Sequence, residues 1–212
     1  MELKAGYKQT EIGVIPQDWE VVRLSSLLTK FQNGYAFPSE GYKSSGTPII
    51  TMSQIGLDGK FQFNETEAKK WDASKTNKLN DFFVDNGDIL IAMTDVTPKK
   101  NLIGRMTIAV LTRKALLNQR VGLLKINSEK VISGYLVPCS SQRAWRDYCK
   151  AVASLGVQAN IGTSDIKNGQ VAIPPTKREQ SAIAEALCDT DALIESLDQL
   201  IAKKRQIKHG AM

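Results

Sequence analysis

The sequence is poor in the residues from which most enzymes build a reaction centre. Its 212 residues include one histidine, His209, and three cysteines, Cys139, Cys149 and Cys188. One histidine leaves almost no material for a histidine metal site or a Ser-His-Asp triad. The cysteines have neither metal-ligand nor redox spacing, so free, buried thiols in a reducing cytoplasm are expected. No apolar run approaches the roughly 18 residues of a membrane-spanning helix, and Met1-Glu-Leu-Lys-Ala-Gly has no signal-peptide core. No repeat and no low-complexity segment is visible.

The motifs of common chemistries are absent as well. Gly41 to Thr47, "GYKSSGT", lacks the lysine that a phosphate loop needs after its second glycine, and reads as a turn. No glycine-rich dinucleotide or methyl-donor loop follows a strand. "IPPT" is not the Asn/Asp-Pro-Pro-aromatic motif with which amino-methyltransferases hold a flipped base. Glu67-Ala-Lys69 and Asp165-Ile-Lys167 carry the acid-x-Lys element of many nucleases, but neither has an upstream Pro-Asp partner. The chain reads as catalytically empty.

What is present is a core and a charge imbalance. A hydrophobic content of 42% with 24% charged residues describes a soluble globular chain of one domain, or one domain with an appendage. The net charge is +6. From Lys177 onward six basic residues (Lys177, Arg178, Lys203, Lys204, Arg205, Lys208) meet six acidic ones (Glu179, Glu185, Asp189, Asp191, Glu195, Asp198). Residues 1–176 therefore carry the whole excess, which suits an anionic partner.

"IPQDWEVVRLSSLL" reads as a short strand running into a helix near Ser25. "GTPIITMSQI", "GDILIAMT", "RMTIAVL", "QRVGLLKI" and "QVAIP" read as strands. Residues 128–154 are expected to be helical with Pro138 splitting them, and "SLGVQANIGTSDIKNG" a glycine-punctuated loop. Strands and helices in irregular order give an α+β class with mixed or antiparallel strands, rather than a doubly wound sheet.

The end of the chain is a long amphipathic helix. Pro174 and Pro175 hold the backbone extended, and Thr176 with Glu179 completes a T-x-x-E capping box. Apolar residues then recur at Ile183, Leu187, Leu193, Ile194, Leu197, Leu200, Ile201 and Ile207. The series 187-194-201 and 193-200-207 advance by the heptad of a coiled coil, with Thr190 and Lys204 as interruptions. Such a stripe is covered either by the chain's own body or by another molecule; the heptads favour another helix. Acids fill its first half and bases its second, so an antiparallel copy would set opposite charges together. The same polarity also suits the helix dipole alone. The expected boundary is 1–175 for the globular domain and 176–212 for the helix.

Binding residues cluster in loops. "TPKKNLIGR" offers Lys99, Lys100, Asn101 and Arg105; "TRKALLNQR" offers Arg113, Lys114, Asn118, Gln119 and Arg120. "EAKKWDASKTNK" adds Lys69, Lys70, Lys75 and Lys78 around Trp71, and Gln158 with Asn160 stands in the glycine-rich loop. Arg and Lys suit phosphates and guanine edges, Asn and Gln suit adenine edges.

The tail "PPTKREQSAIAEALCDTDALIESLDQLIAKKRQIKHGAM" closely resembles the specificity subunits of type I restriction-modification systems, as does the lead "YKQTEIGVIPQDWEVVRL". "GDILIAMT", "IGRMTIAV", "LNQRVGLL" and "SLGVQANIGTSDIKNGQVAIPP" stand where that family's elements would. The resemblance implies a non-catalytic, cytoplasmic, DNA-reading subunit. In that family, two target-recognition domains, each followed by a long helix, read the halves of a split double-stranded DNA site. The helices pair antiparallel. The resemblance also implies methyltransferase and motor-nuclease subunits as partners, with S-adenosylmethionine, Mg²⁺ and ATP on those partners and no cofactor on this chain. One recognition domain and one helix correspond to a half subunit, whether natural, truncated or a fragment, whose helix would seek a copy of itself. Two rivals remain: a stand-alone DNA-modifying enzyme, and an assembly adaptor that does not bind DNA.

Overall fold

The computed structural model describes residues 3–72, 77–97, 99–154 and 158–210. The chain opens with an antiparallel hairpin, β1 (Tyr7–Thr10) and β2 (Gly13–Pro16), then runs through β3 (Glu20–Arg23) to β4 (Leu28–Asn33). β5 (Tyr42–Lys43), β6 (Thr47–Ile50), β7 (Lys70–Trp71) and β8 (Phe83–Val84) follow, then β9 (Ile89–Ala92), β10 (Thr94–Asp95) and β11 (Met106–Ile108). After β12 (Ala115–Leu117) and β13 (Val121–Ile126) come α1 (Ser133–Cys139), α2 (Arg143–Val152), β14 (Ala159–Asn160) and α3 (Thr163–Asn168). β15 (Gln170–Ile173) and α4 (Lys177–Gly210) complete the chain. The class is α+β, ending in a long helix.

Two sheets and three helices stack in layers. One sheet has the order β11-β9-β13-β4 and is antiparallel throughout; the other has the order β5-β7-β6-β12-β8, with β6 and β12 parallel. Alternation along the strands divides the core. Ile89, Ile91 and Leu124 face α1 to α3, where they meet Tyr135, Leu136, Trp145 and Ile166. Leu90, Ala92, Val121 and Leu123 face the other sheet and meet Ile50, Ala115 and Leu117. Leu116 and Ile49 point beyond that sheet to an aromatic cluster of Phe37, Tyr35, Tyr42 and Trp71. Strands covered on both faces have no polar alternation to preserve, so β9 and β12 are continuous apolar runs, "ILIA" and "ALL".

Three sequence expectations change. The segment after β3 is a 3-10 turn at Leu24–Leu27, not a helix: Leu24 and Leu27 both enter the core from one tight turn, and Leu28 onward pairs with β13. The glycine-punctuated stretch contains β14 and α3, because Ala159, Ile161 and Ile166 are core residues and Gly162 N–H is held by Asp165 Oδ2 at 3.3 Å. Pro138 falls in the last turn of α1 rather than between the helices.

The capping box at α4 forms only its first half. Glu179 N–H donates to Thr176 Oγ1 at 3.2 Å, while the Glu179 carboxylate accepts from Trp19 Nε1 at 2.9 Å. The next residue is the stronger tether. Gln180, 1% exposed, accepts from Ile132 N–H at 3.0 Å and donates to the Lys130 carbonyl at 3.0 Å. Ile183 joins the main core, and from Glu185 to Lys208 every residue is exposed. At about 1.5 Å per residue the 34-residue helix is about 51 Å long, and its last ion pair with the body among the described residues is that of Glu195 with Lys60 at 3.5 Å. Among the described residues no helix is long and apolar enough to cross a membrane.

Gln180→Ala leaves the part-buried Ile132 N–H and the Lys130 carbonyl without their side-chain partner. It is expected to lower unfolding free energy by roughly 1–3 kcal/mol in urea titration, with an unchanged slope.

Candidate nucleic-acid interface

The apolar strands push polar side chains to their ends, and one end gathers several of the candidate binding residues. The turn Asn118–Arg120 joins β12 to β13 and is stitched to its neighbours through main-chain bonds. Asn118 N–H donates to the Ile50 carbonyl (3.0 Å), Gln119 N–H to Tyr35 (3.0 Å), and Met93 N–H to Arg120 (3.0 Å). Tyr35 N–H reaches the Leu117 carbonyl at 2.8 Å, and here the chain must be glycine: a Cβ on Gly34 would collide with the Asn118 carbonyl. Ile161 N–H donates to Met93 at 3.0 Å, which brings β14 alongside.

Asn160 is accordingly next to this turn. Its Oδ1 accepts from Thr94 Oγ1 at 2.9 Å and its Nδ2 donates to the Gln158 carbonyl at 3.2 Å. Thr163 Oγ1 donates to Asn33 Oδ1 at 2.9 Å, so two residues that sequence reasoning passed over stand on the same surface. Lys100 Nζ lies 3.4 Å from the Ser154 carbonyl, and Ser154 Oγ accepts from Asn160 N–H at 2.9 Å. The structure thus brings together Lys100, Asn118, Gln119, Arg120, Gln158 and Asn160.

The Thr97–Arg105 loop is organised from below by two buried ions that the sequence reading missed. Asp95, 1% exposed, accepts from the N–H groups of Thr97 (2.7 Å), Leu102 (2.6 Å) and Ile103 (3.2 Å). Burial pushes its carboxyl up, but the Thr97, Leu102 and Ile103 hydrogen bonds outweigh this and hold it below the ordinary value of 3.8. Arg146, 7% exposed, donates to the carbonyls of Ile103, Lys100 (3.1 Å) and Asn101 (3.0 Å). Asp-x-Thr at 95–97 was a legible turn signal; Arg146, in the first turn of α2, gave none. Lys100 takes a positive φ of 49°. Arg105 is occupied locally, with Nε donating to the Asn101 carbonyl (3.2 Å) and its guanidinium to Ser141 Oγ (2.6 Å). Lys99 is exposed on the loop, and Asn101 Oδ1 accepts from Lys150 Nζ at 3.4 Å.

Other candidates fall elsewhere. Arg113 and Lys114 precede β12 at its opposite end, where they pair with Glu65 (2.6 Å) and Asp85 (2.9 Å). Lys69 and Lys70 belong to the five-stranded sheet: Lys69 Nζ sits 4.7 Å from the Tyr42 ring centroid, and Lys70 donates to the Thr66 carbonyl at 3.4 Å. Lys69 and the Asn118–Arg120 turn both line a cleft of about 550 Å³. Lys75 lies outside the described residues, as does the Lys78 side chain.

No group of three or more His, Cys, Asp or Glu among the described residues could hold a metal. Burial pushes the Cys139 and Cys149 thiols up to about 12, so they remain protonated and inert; Cys188 is exposed on α4. On that helix Leu187, Leu193, Ile194, Leu197, Leu200, Ile201 and Ile207 are between 42% and 61% exposed. Leu187 lies nearest the body, in a groove with Val137 and Pro138.

This α+β fold is similar to that of several solved proteins. The chain superposes on the S subunit of a type I restriction-modification system from M. genitalium (TM-score 0.58, 17% identity, 97% of this chain and 45% of that one). It also superposes on the HsdS subunit from Thermoanaerobacter tengcongensis (TM-score 0.60, 19% identity, 87% and 40%). In sequence it is 28% identical over 212 residues to a putative type I restriction enzyme MjaX specificity subunit of Methanocaldococcus jannaschii, covering 97% of this chain and 47% of that protein. It is likewise 28% identical to the MjaVIII specificity subunit of the same organism, covering 89% and 43%. Residues 16–205 match the type I restriction modification DNA specificity domain, and the chain belongs to that family. It spans about half the length of the curated relatives it matches.

Asp95→Asn replaces an acceptor oxygen by a donor that faces backbone N–H groups, and is expected to cost roughly 1–3 kcal/mol at neutral pH. Because the folded-state carboxyl is depressed, its contribution is complete above the ordinary value of 3.8 and lost as pH falls through the lower folded value. Stability curves of the two proteins should converge in acid; a constant difference down to the lowest pH would contradict the assignment.

Proposed function

We propose that the chain is the DNA-reading half of a type I specificity subunit. Its body binds one half of a split double-stranded target through the strand-end surface of Lys100, Asn118 to Arg120, Gln158 and Asn160. Through its helix it pairs antiparallel with a second copy, and the assembled pair docks methyltransferase and motor-nuclease subunits in the cytoplasm. In this reading the chain performs no catalysis. S-adenosylmethionine, Mg²⁺ and ATP are carried by the partners.

The observation that carries the proposal is the uncovered seam of α4. Leu193, Ile194, Leu197, Leu200 and Ile201 are exposed in succession on a helix whose apolar contribution to the core of its own body ends at Ile183, the later contacts being the groove at Leu187 and the Lys60–Glu195 ion pair at 3.5 Å. A stripe of that size exposed to water marks a protein contact. In an antiparallel pair the acidic first half of each helix runs toward the basic end, Lys203 to Lys208, of the other copy. The strand-end surface and the net positive charge of residues 1–176 suit a polyanion, and membership of a DNA specificity family supports DNA as that polyanion.

Light scattering tests the pairing. The unmodified chain should have twice the mass of Leu197→Asp, which places a charge in the seam while leaving the body untouched. Equal monomeric masses would contradict the paired-helix reading.

A further inference from the structure

Gln54 lines the same cleft as Asn118–Arg120, and its hydrogen bonds determine what it can still offer a ligand. The Thr51 backbone N–H lies 2.7 Å from the Gln54 side-chain oxygen. A backbone N–H can only donate, so the amide orientation is fixed with Oε1 toward Thr51. Oε1 accepts again from Thr51 Oγ1 at 2.9 Å. With that proton spent, the 2.9 Å contact between the Thr51 and Ser53 hydroxyls requires Ser53 to donate, and Ser53 Oγ in turn accepts from Gln54 Nε2 at 2.9 Å. The ring closes with both lone pairs of Oε1 and both hydroxyl protons used. One N–H of Gln54 remains.

The Asn118–Arg120 turn has the same polarity. Arg120 N–H donates to Asn118 Oδ1 at 3.2 Å, which pins that oxygen inward and leaves the Asn118 NH₂ group available. The Arg120 guanidinium makes no hydrogen bond or ion pair with any described residue. The two segments are tied by Asn118 N–H to the carbonyl of Ile50, the residue before Thr51. Gln54 and Asn118 therefore present N–H donors fixed by their own bonds, beside the unbonded Arg120 guanidinium, with Gln119, Lys69 and one carboxylate, Glu67, also on the lining.

Donors alone do not suit every base pair. In the major groove guanine shows two adjacent acceptors, O6 and N7, whereas adenine sets its N6 amino group beside N7, and thymine a methyl beside O4. Resting on the DNA-binding reading above, we propose that this cleft is a guanine-selective subsite. Gln54, Asn118 and Arg120 donate to O6 and N7, and Glu67 accepts from N4 of the paired cytosine.

The test is selection of bound duplexes from a randomised pool by the full chain and by Arg120→Ala, Gln54→Ala and Gln54→Glu, each checked by its unfolding midpoint. The unmodified chain should select a site with a fixed guanine. Arg120→Ala and Gln54→Ala should each lower discrimination at that one position by about tenfold or more, with binding to random duplex retained. Gln54→Glu keeps the bond from Thr51 but turns an acceptor outward, and should shift the preference toward a base that shows an amino group. Unchanged preference in Arg120→Ala, whose side chain holds nothing in the fold, would overturn the subsite even if both Gln54 variants fail to fold. A chain that binds duplex DNA with no guanine selected would overturn it as well. Failure of the unmodified chain to bind any DNA would instead overturn the reading beneath it.

Discussion

The central sheet is buried on both faces, and most of the remaining structure follows from that. Helices cover one side of β9 and β13 and the second sheet covers the other, so neither face has room for a binding residue. Polar groups are displaced to the turns at the strand ends, where backbone bonds from Ile50, Tyr35, Met93 and Ile161 hold them in register. Both core layers are also filled without the helix beyond Ile183. Its apolar stripe is therefore left exposed.

Each functional surface thus rests on a rigid support. The turn Asn118–Arg120 cannot move without breaking bonds to separate segments, and the Thr97–Arg105 loop is held by Asp95 from its N–H groups and by Arg146 from its carbonyls. Buried charges of this kind are costly unless fully bonded; here they hold an irregular loop in one conformation. Trp19 and Gln180 do the equivalent at the helix root, fixing the direction in which α4 leaves the domain. A fixed direction matters for a helix about 51 Å long, because any angular error at the root is magnified at its tip.

The sequence made the strands, the last helix and its seam legible because each depends on periodicity or on a proline boundary. Leu24 to Leu27 misled, since two leucines spaced by three suit a 3-10 turn as well as a helix. The stretch around Asn160 hid a strand and a helix too short to show a period. Among the proposed site residues, Asn118 to Arg120 and Asn160 were nominated from their chemistry, as were Arg113 and Lys114, which the three residues of β12 carry to the opposite end. Gln54 was missed for a related reason: its significance lies in which of its atoms are already bonded, and sequence carries no such information. Arg105 has the right charge for DNA, yet its guanidinium is engaged with Asn101 and Ser141.

The central claim is that the Asn118–Arg120 end of the body faces DNA and the Arg113–Lys114 end does not. Photo-crosslinking distinguishes the two ends directly, with a photoreactive side chain placed at Gln119 in one protein and at Lys114 in another, each mixed with duplex DNA. Crosslinks should form from position 119 and not from 114. Efficient crosslinking from 114, with none from 119, would contradict the account.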